Sequence, residues 1–259
     1  MPASFLDPAG GRKYTRPAAR DVDEGTLNRS FTRRGRAVAP LLVALAACGG
    51  AGERPSADAA PVVATLSTSA SAGAERIRAG DLAGARATYE AELARDPERL
   101  AALNDLAVSY SLGGHVEAAR RLLDEVVAGG SALEQQAALV NLGELYALEG
   151  YVSAAQAYFE SARGIDPTRP EPIYAIALLA DARGETERAR ATLREAVRLD
   201  PDGAARSGFA FVQPEERVHL EALLAELAGD RAEAQGRWRE LQAGRFASLA
   251  LAAERHLAE

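Results

Sequence analysis

The amino-acid sequence predicts an all-α fold, an α-solenoid of about five helix-turn-helix repeats with a C-terminal capping helix. Three observations predict it. A glycine is followed five residues later by an alanine, and four residues after that by a large apolar residue, five times over: Gly80, Ala85 and Tyr89; Gly114, Ala119 and Leu123; Gly150, Ala155 and Phe159; Gly184, Ala189 and Leu193; Gly229, Ala234 and Trp238. The intervals between copies are 34, 36, 34 and 45 residues, and a period near 34 with helical spacing inside each copy marks stacked helical hairpins. Aromatic residues make up only 5% of a chain that is 47% hydrophobic, so alanine and leucine do the burying, which suits close helix packing.

Each terminator has a physical reason. The glycine ends the first helix of a copy because it accepts the left-handed conformation a helix end needs. Asp96-Pro97, Asp166-Pro167 and Asp200-Pro201 end the second helix, since the residue before a proline is pushed out of the α region. Copy two ends with Gly129-Gly130 instead.

From about Leu66 these copies resemble the tetratricopeptide repeat family, whose 34-residue unit is a pair of antiparallel helices. That unit has a small eighth residue, Gly at fifteen, Ala at twenty, a bulky twenty-fourth residue and a closing Asp-Pro. The alignment gives repeats at about 66–99, 100–135, 136–169, 170–203 and a degenerate 215–248, with Gly73, Ala107, Gly143, Ala177 and Ala222 in the eighth positions. Small residues at positions eight and twenty let the two backbones approach, and a larger side chain there costs roughly 1–3 kcal/mol of overpacking. One hairpin cannot bury its apolar face alone, so the copies must stack. Phe246, Leu249, Ala250, Ala253 and Leu257 recur at helical spacing, which predicts a cap helix over 245–258 and a repeat domain over 66–259. The long fourth interval comes from an insertion at 204–214 in which Phe209, Phe211 and Val212 alternate out of helical register. Two readings stand: rings packed between repeats four and five, or an apolar finger that contacts a partner.

The formal net charge is −7, unevenly spread. Residues 1–47 hold eight basic and four acidic side chains, and residues 48–259 hold 22 and 33. An acidic body is a poor nucleic-acid binder, because phosphate contacts need clustered Lys and Arg. Cys48 is the sole cysteine, which rules out a disulfide framework and a thiolate metal cluster.

Arg33, Arg34 and Arg36 precede an apolar run over residues 37–47. Eleven residues are too few to span a bilayer, which takes about 20, and the arrangement reads as a secretory signal. The run ends Leu45-Ala46-Ala47-Cys48, which resembles the lipobox of bacterial lipoproteins. The resemblance implies lipid attachment at Cys48 and loss of residues 1–47, with acyl chains contributing about 0.8 kcal/mol per buried methylene. Gly49 stands where that family uses Asp for inner-membrane retention, which implies the outer membrane, facing the periplasm. Residues 1–26 lie upstream of what a signal peptide needs, which points to a translation start near Leu27. Residues 48–65, rich in Gly, Ala and Pro at their start, read as a flexible tether.

Motifs for chemistry are absent from the sequence. His115, His219 and His256 lie far apart, outside any metal-ligand spacing, and read as structural or solvated. No phosphate loop, nucleophile elbow or paired-carboxylate motif occurs. The expectation is a non-catalytic protein with no cofactor, no metal and no small-molecule substrate.

The resemblance further implies a partner groove lined by the first helices. Its positions are Asn104, Val108 and Leu112 in copy two; Val140, Asn141 and Glu144 in copy three; Tyr174, Leu178 and Asp181 in copy four; and His219 and Leu223 in copy five. Members that clamp a C-terminal carboxylate place Lys and Arg there, and copies two to five have none. The expected ligand is a protein or peptide with apolar anchors and some positive charge, its backbone held by Asn104 and Asn141, whose amides both donate and accept. The function expected is a lipid-anchored scaffold of the bacterial cell envelope. The alternative is a soluble secreted or cytoplasmic repeat protein serving a larger complex as regulatory subunit or assembly factor.

Overall fold

The structure is a computed structural model and describes residues 63–65, 71–211 and 214–259. The basic cluster, the apolar run, Cys48, most of the tether and Val212 lie outside those residues.

Five helical hairpins follow one another. The first is α1 (Ala72–Arg78) with α2 (Leu82–Arg95), the second α3 (Leu100–Leu112) with α4 (Val116–Gly129) and the third α5 (Ala132–Leu148) with α6 (Val152–Ile165). The fourth is α7 (Glu171–Ala182) with α8 (Thr186–Leu199). A short helix α9 (Ala204–Ser207) then leads into a strand that pairs with a three-residue strand near the start of the chain. The strands are β1 (Val63–Thr65) and β2 (Phe209–Phe211). The fifth hairpin, α10 (Pro214–Ala228) and α11 (Arg231–Gln242), is followed by α12 (Ala247–Leu257). Each helix of a hairpin packs on its mate, α3 and α7 both contact α5, and α12 packs on α11 and α7. The fold is therefore an all-α solenoid carrying one small β pair.

The turn inside each hairpin is built the same way. Gly150 has φ 84°, its N–H donates to the Ala147 carbonyl at 3.0 Å, and the Tyr151 N–H donates to the Tyr146 carbonyl at 2.8 Å. Two carbonyls left over at the end of α5 are thus satisfied, at a φ that side chains with a Cβ avoid. The same bond pair closes the turns at Gly80, Gly114, Gly184 and Gly229. The residue after each glycine opens the next helix, and at Asp81 and Asp230 the carboxylate accepts from the backbone N–H three residues on. Second helices end on Asp96, Asp166 and Asp200, each just before a proline. Ser131 and Glu134 form a capping box at the start of α5.

Within a hairpin, positions eight, twenty and twenty-four are all buried. A Cβ added to Gly143 would stand 2.4 Å from Phe159 Cε1, and one added to Gly73 would stand 2.3 Å from Tyr89 Cζ. Where position eight is glycine, position twenty-four is aromatic; where it is Ala107 or Ala177, position twenty-four is Leu123 or Leu193. Volume is thus exchanged across the hairpin. Copy five departs, with Trp238 behind Ala222, and its indole is taken up elsewhere.

Gly143→Ala should destabilise the chain by roughly 1–3 kcal/mol, the usual cost of overpacking. Adding Phe159→Leu should recover part of that loss. A urea double-mutant cycle followed by circular dichroism checks it, and additive losses would show that the two positions do not share one volume.

Candidate functional site

The face lined by the first helices carries the residues that a partner groove requires, and the structure places them inside. Asn104, Val108, Val140, Asn141, Glu144, Tyr174, Leu178, Asp181, His219 and Leu223 are buried, each no more than 3% exposed. Leu112 is half-buried. These side chains join successive first helices instead of standing open. Asn141 Nδ2 donates to Asn104 Oδ1 at 2.9 Å, and Asn104 Nδ2 donates to Asp105 Oδ1 at 3.1 Å. The two amides assigned to a peptide backbone thus bond to each other between α3 and α5. Charged replacements at Tyr174 or Leu178 would break the core, not report on a groove.

The insertion covers Tyr174 of repeat four. Phe209 is 6% exposed and sets its ring edge-on to Tyr174, with centroids 5.6 Å apart. Phe209 is thus packed against repeat four and not held out to solvent. Arg206 donates through one terminal nitrogen to the Tyr174 hydroxyl, the Asp200 carbonyl and Asp200 Oδ2, at 3.1, 3.0 and 3.2 Å. Asp200, which closes α8, also accepts from the backbone N–H groups of Ala205 and Arg206. Burial pushes the Tyr174 hydroxyl up to about 12, so it remains protonated and donates to Asp200 Oδ2 at 3.1 Å. Helix α9 and β2 are thereby fastened across the first-helix face.

Beside that mount the chain lays down an extended segment of its own. β1 pairs antiparallel with β2, Val63 opposite Phe211, Ala64 opposite Ala210 and Thr65 opposite Phe209. β1 lies against α5, and β2 touches α10. Two clefts flank the insertion. One, about 560 Å³, is lined by Ala137, Val140, Glu171, Asp200 and Phe209 among others. The second, about 570 Å³, reaches from Ile77 and Leu112 to Arg217, Leu220 and Leu224. Glu171 faces the first cleft with Oε1 paired to Arg169, while its Oε2 is buried without a hydrogen-bond partner.

The far end of the array is tied by a buried knot of charge. Asp181, in the last turn of α7, is fully buried between His219 of α10 and His256 of α12, each ring Nε2 lying 2.8 Å from one carboxylate oxygen. His256 Nδ1 stands 2.8 Å from Glu226 Oε1, and the ring stacks on Trp238 at 4.1 Å. Trp238 Nε1 donates to Glu226 Oε1 at 2.6 Å, and Arg255 donates to the Asp181 carbonyl at 2.7 Å. Burial alone would push the Asp181 carboxyl up. Hydrogen bonds from His219 and His256 outweigh it and hold the carboxyl well below the usual carboxylate range. Burial likewise opposes charge on His256, but Asp181 and Glu226, one at each ring nitrogen, raise it to about 9. The ring is an imidazolium at neutral pH, placed to lock the cap helix rather than to transfer a proton. Among the described residues, no group of His, Cys, Asp and Glu is arranged to hold a metal ion.

Sequence reasoning treated the histidines separately and did not foresee the Asp181 knot, the Arg206 mount or β1. The run Val62-Val63-Ala64-Thr65 is rich in β-branched residues and carried a strand signal inside the stretch read as tether.

The architecture defines a class, the all-α helical-repeat scaffold. A family described as tetratricopeptide repeat matches residues 146–208, from the end of α5 to the start of β2. Among solved structures, the chain is similar to a crystal structure of MamA at 20% identity and a TM-score of 0.39, over 73% of this chain and 98% of that one. A second MamA crystal structure matches at 20% identity and a TM-score of 0.38, over 72% of this chain and 90% of that one. No curated protein matches. Repeats of this kind are scaffolds for contacts between proteins, and a protein is the class of partner this fold serves.

Stability should carry the signature of the knot. His256, raised in the fold from 6.5 to about 9, contributes fully below pH about 6.5, and its contribution is lost as pH rises through about 9. The wild-type melting temperature should therefore fall across that window. His256→Phe keeps a ring against Trp238 but removes the charge; it should cost roughly 3 kcal/mol at pH 6, the low end for orphaning one partner of a buried ion pair, and flatten the decline. A pH-independent wild-type melting temperature between pH 6 and 10 would contradict the assignment.

Proposed function

We propose that this protein is a non-catalytic, lipid-anchored adaptor of the bacterial cell envelope, held through Cys48 at the outer membrane and facing the periplasm. It takes a protein partner on the first-helix face, at the insertion and its two flanking clefts. The observation that carries the binding part is the extended strand β1, seated on that face in register with β2. A face that accommodates an extended backbone, with a cleft of about 560 Å³ on one side and about 570 Å³ on the other, has the form of a peptide site. Most of the groove residues support the floor of this site, while Val140 and Leu112 line the two clefts. Glu171, with one buried carboxylate oxygen unpartnered, favours a positively charged group in the first cleft. The membrane part rests on the sequence: arginines, a short apolar run and Leu45-Ala46-Ala47-Cys48.

Cys48→Ala should move the protein from the membrane pellet to the soluble fraction; a wild type already soluble removes the anchor. For the binding part, a photo-reactive amino acid at Ala205 or Arg217, on the rims of the two clefts, should cross-link one common envelope protein. The same probe at Glu160, exposed on α6, should not. Equal capture from all three positions removes the face as the binding surface.

A further inference from the structure

β1 and β2 are held to the molecule by very different means. β2 is mounted on repeat four through Phe209 on Tyr174 and through Arg206 on Asp200 and Tyr174. β1 is three residues long and has β2 as its strand partner among the described residues. The backbone entropy lost in ordering a residue is comparable to or larger than the net return from one backbone hydrogen bond. An isolated two-stranded pair is marginal by itself. Beyond β2, β1 lies against α5, and proximity favours it: Thr65 is six residues from Ser71, the N-cap of α1, and so short a connection keeps the strand at an effective concentration of about millimolar.

We infer that β2 is a strand-addition site for an extended segment of the protein partner, and that Val63–Thr65 is an intramolecular placeholder that the partner displaces. The inference rests on the reading that the first-helix face takes a protein partner, and is independent of the lipid anchor. Recognition is by backbone N–H and C=O groups along Phe209–Phe211, so the incoming segment must be extended and free of proline over three consecutive residues. The register to be reproduced sets Val63 opposite Phe211, Ala64 opposite Ala210 and Thr65 opposite Phe209. Mount and guest differ in attachment: β2 is fixed to repeat four by Phe209 and Arg206, while β1 is held by strand pairing and by lying against α5.

The test uses the full chain and a fluorescein-labelled peptide with the sequence of residues 61–67. In a strand, successive N–H groups point to opposite sides, so Ala64→Pro together with Thr65→Pro removes at least one donor facing β2 and frees the site. Fluorescence anisotropy should show the peptide binding the double variant at least tenfold more tightly than the wild type, since the internal competitor is gone. A control peptide with prolines at those two positions should not bind. Amide hydrogen exchange should quicken in the variant at whichever of Ala210 and Phe211 points its N–H toward β1, not at its neighbour, and slow again when the peptide is added, with helical circular dichroism unchanged throughout. Equal affinity for both proteins, binding of the proline peptide, or no recovery of protection would overturn the inference. If the peptide fails while the Ala205 and Arg217 probes still capture a partner, strand addition falls and the binding face stands.

Discussion

The whole array depends on how closely the two backbones of a hairpin can come. Gly143 has no room for a methyl group because Phe159 fills it, and Gly73 has none because of Tyr89. Copies two and four, with alanine at that place, use leucine opposite. Hairpins filled in this way stack on one another. Only then do side chains on successive first helices meet, as Asn104 and Asn141 do at 2.9 Å. A looser hairpin would leave those amides buried and unpaired, at about 1–3 kcal/mol each, so apolar fit and polar satisfaction are one constraint.

That rule holds through repeat four and then changes. The insertion displaces the fifth hairpin from the 34-residue spacing, and copy five has Trp238 where volume exchange would call for a smaller residue. To the apolar cluster it shares with repeat four it adds buried charge: Asp181 of α7 meets His219 and His256, while Glu226 receives Trp238 and His256. Arg255 adds a cation at the carbonyl end of α7, where the helix dipole favours one. Copy five therefore docks on repeat four by shape and by a buried charge cluster centred on Asp181.

How much of this could be read from the chain follows from the range of each interaction. The glycine turns were legible because the bonds that close them span five residues, and the aspartate ends because proline acts on its immediate neighbour. Even the exchange of volume between positions eight and twenty-four lies sixteen residues apart at a fixed spacing, and is visible in the sequence once sought. The floor of the binding face was not legible. Groove positions carried over from a family presume an empty face, whereas here residues 204–211 cross it, and β1 comes from well over a hundred residues upstream. Alternation in Phe209-Ala210-Phe211 and the β-branched run at residues 62–65 each hinted at a strand, but neither names its mate, because pairing across such a distance is set by tertiary placement. The same holds for His219 and His256, unremarkable apart and joined only at Asp181.

A weak placeholder sets a threshold rather than a barrier. A partner that offers backbone hydrogen bonds alone gains nothing over Val63–Thr65, which makes the same bonds without the cost of bimolecular association. To win, a partner must add what β1 lacks, and the two clefts beside β2 are where it can. One presents Glu171 with an unpartnered buried oxygen above an apolar wall of Ala137 and Val140. The other presents Leu112, Leu220 and Leu224 beside Arg217. Strand pairing then sets the register of the incoming segment, and the side chains flanking the paired residues determine whether it stays. In such a site the backbone gives general affinity that the molecule cancels against itself, so discrimination falls to the clefts.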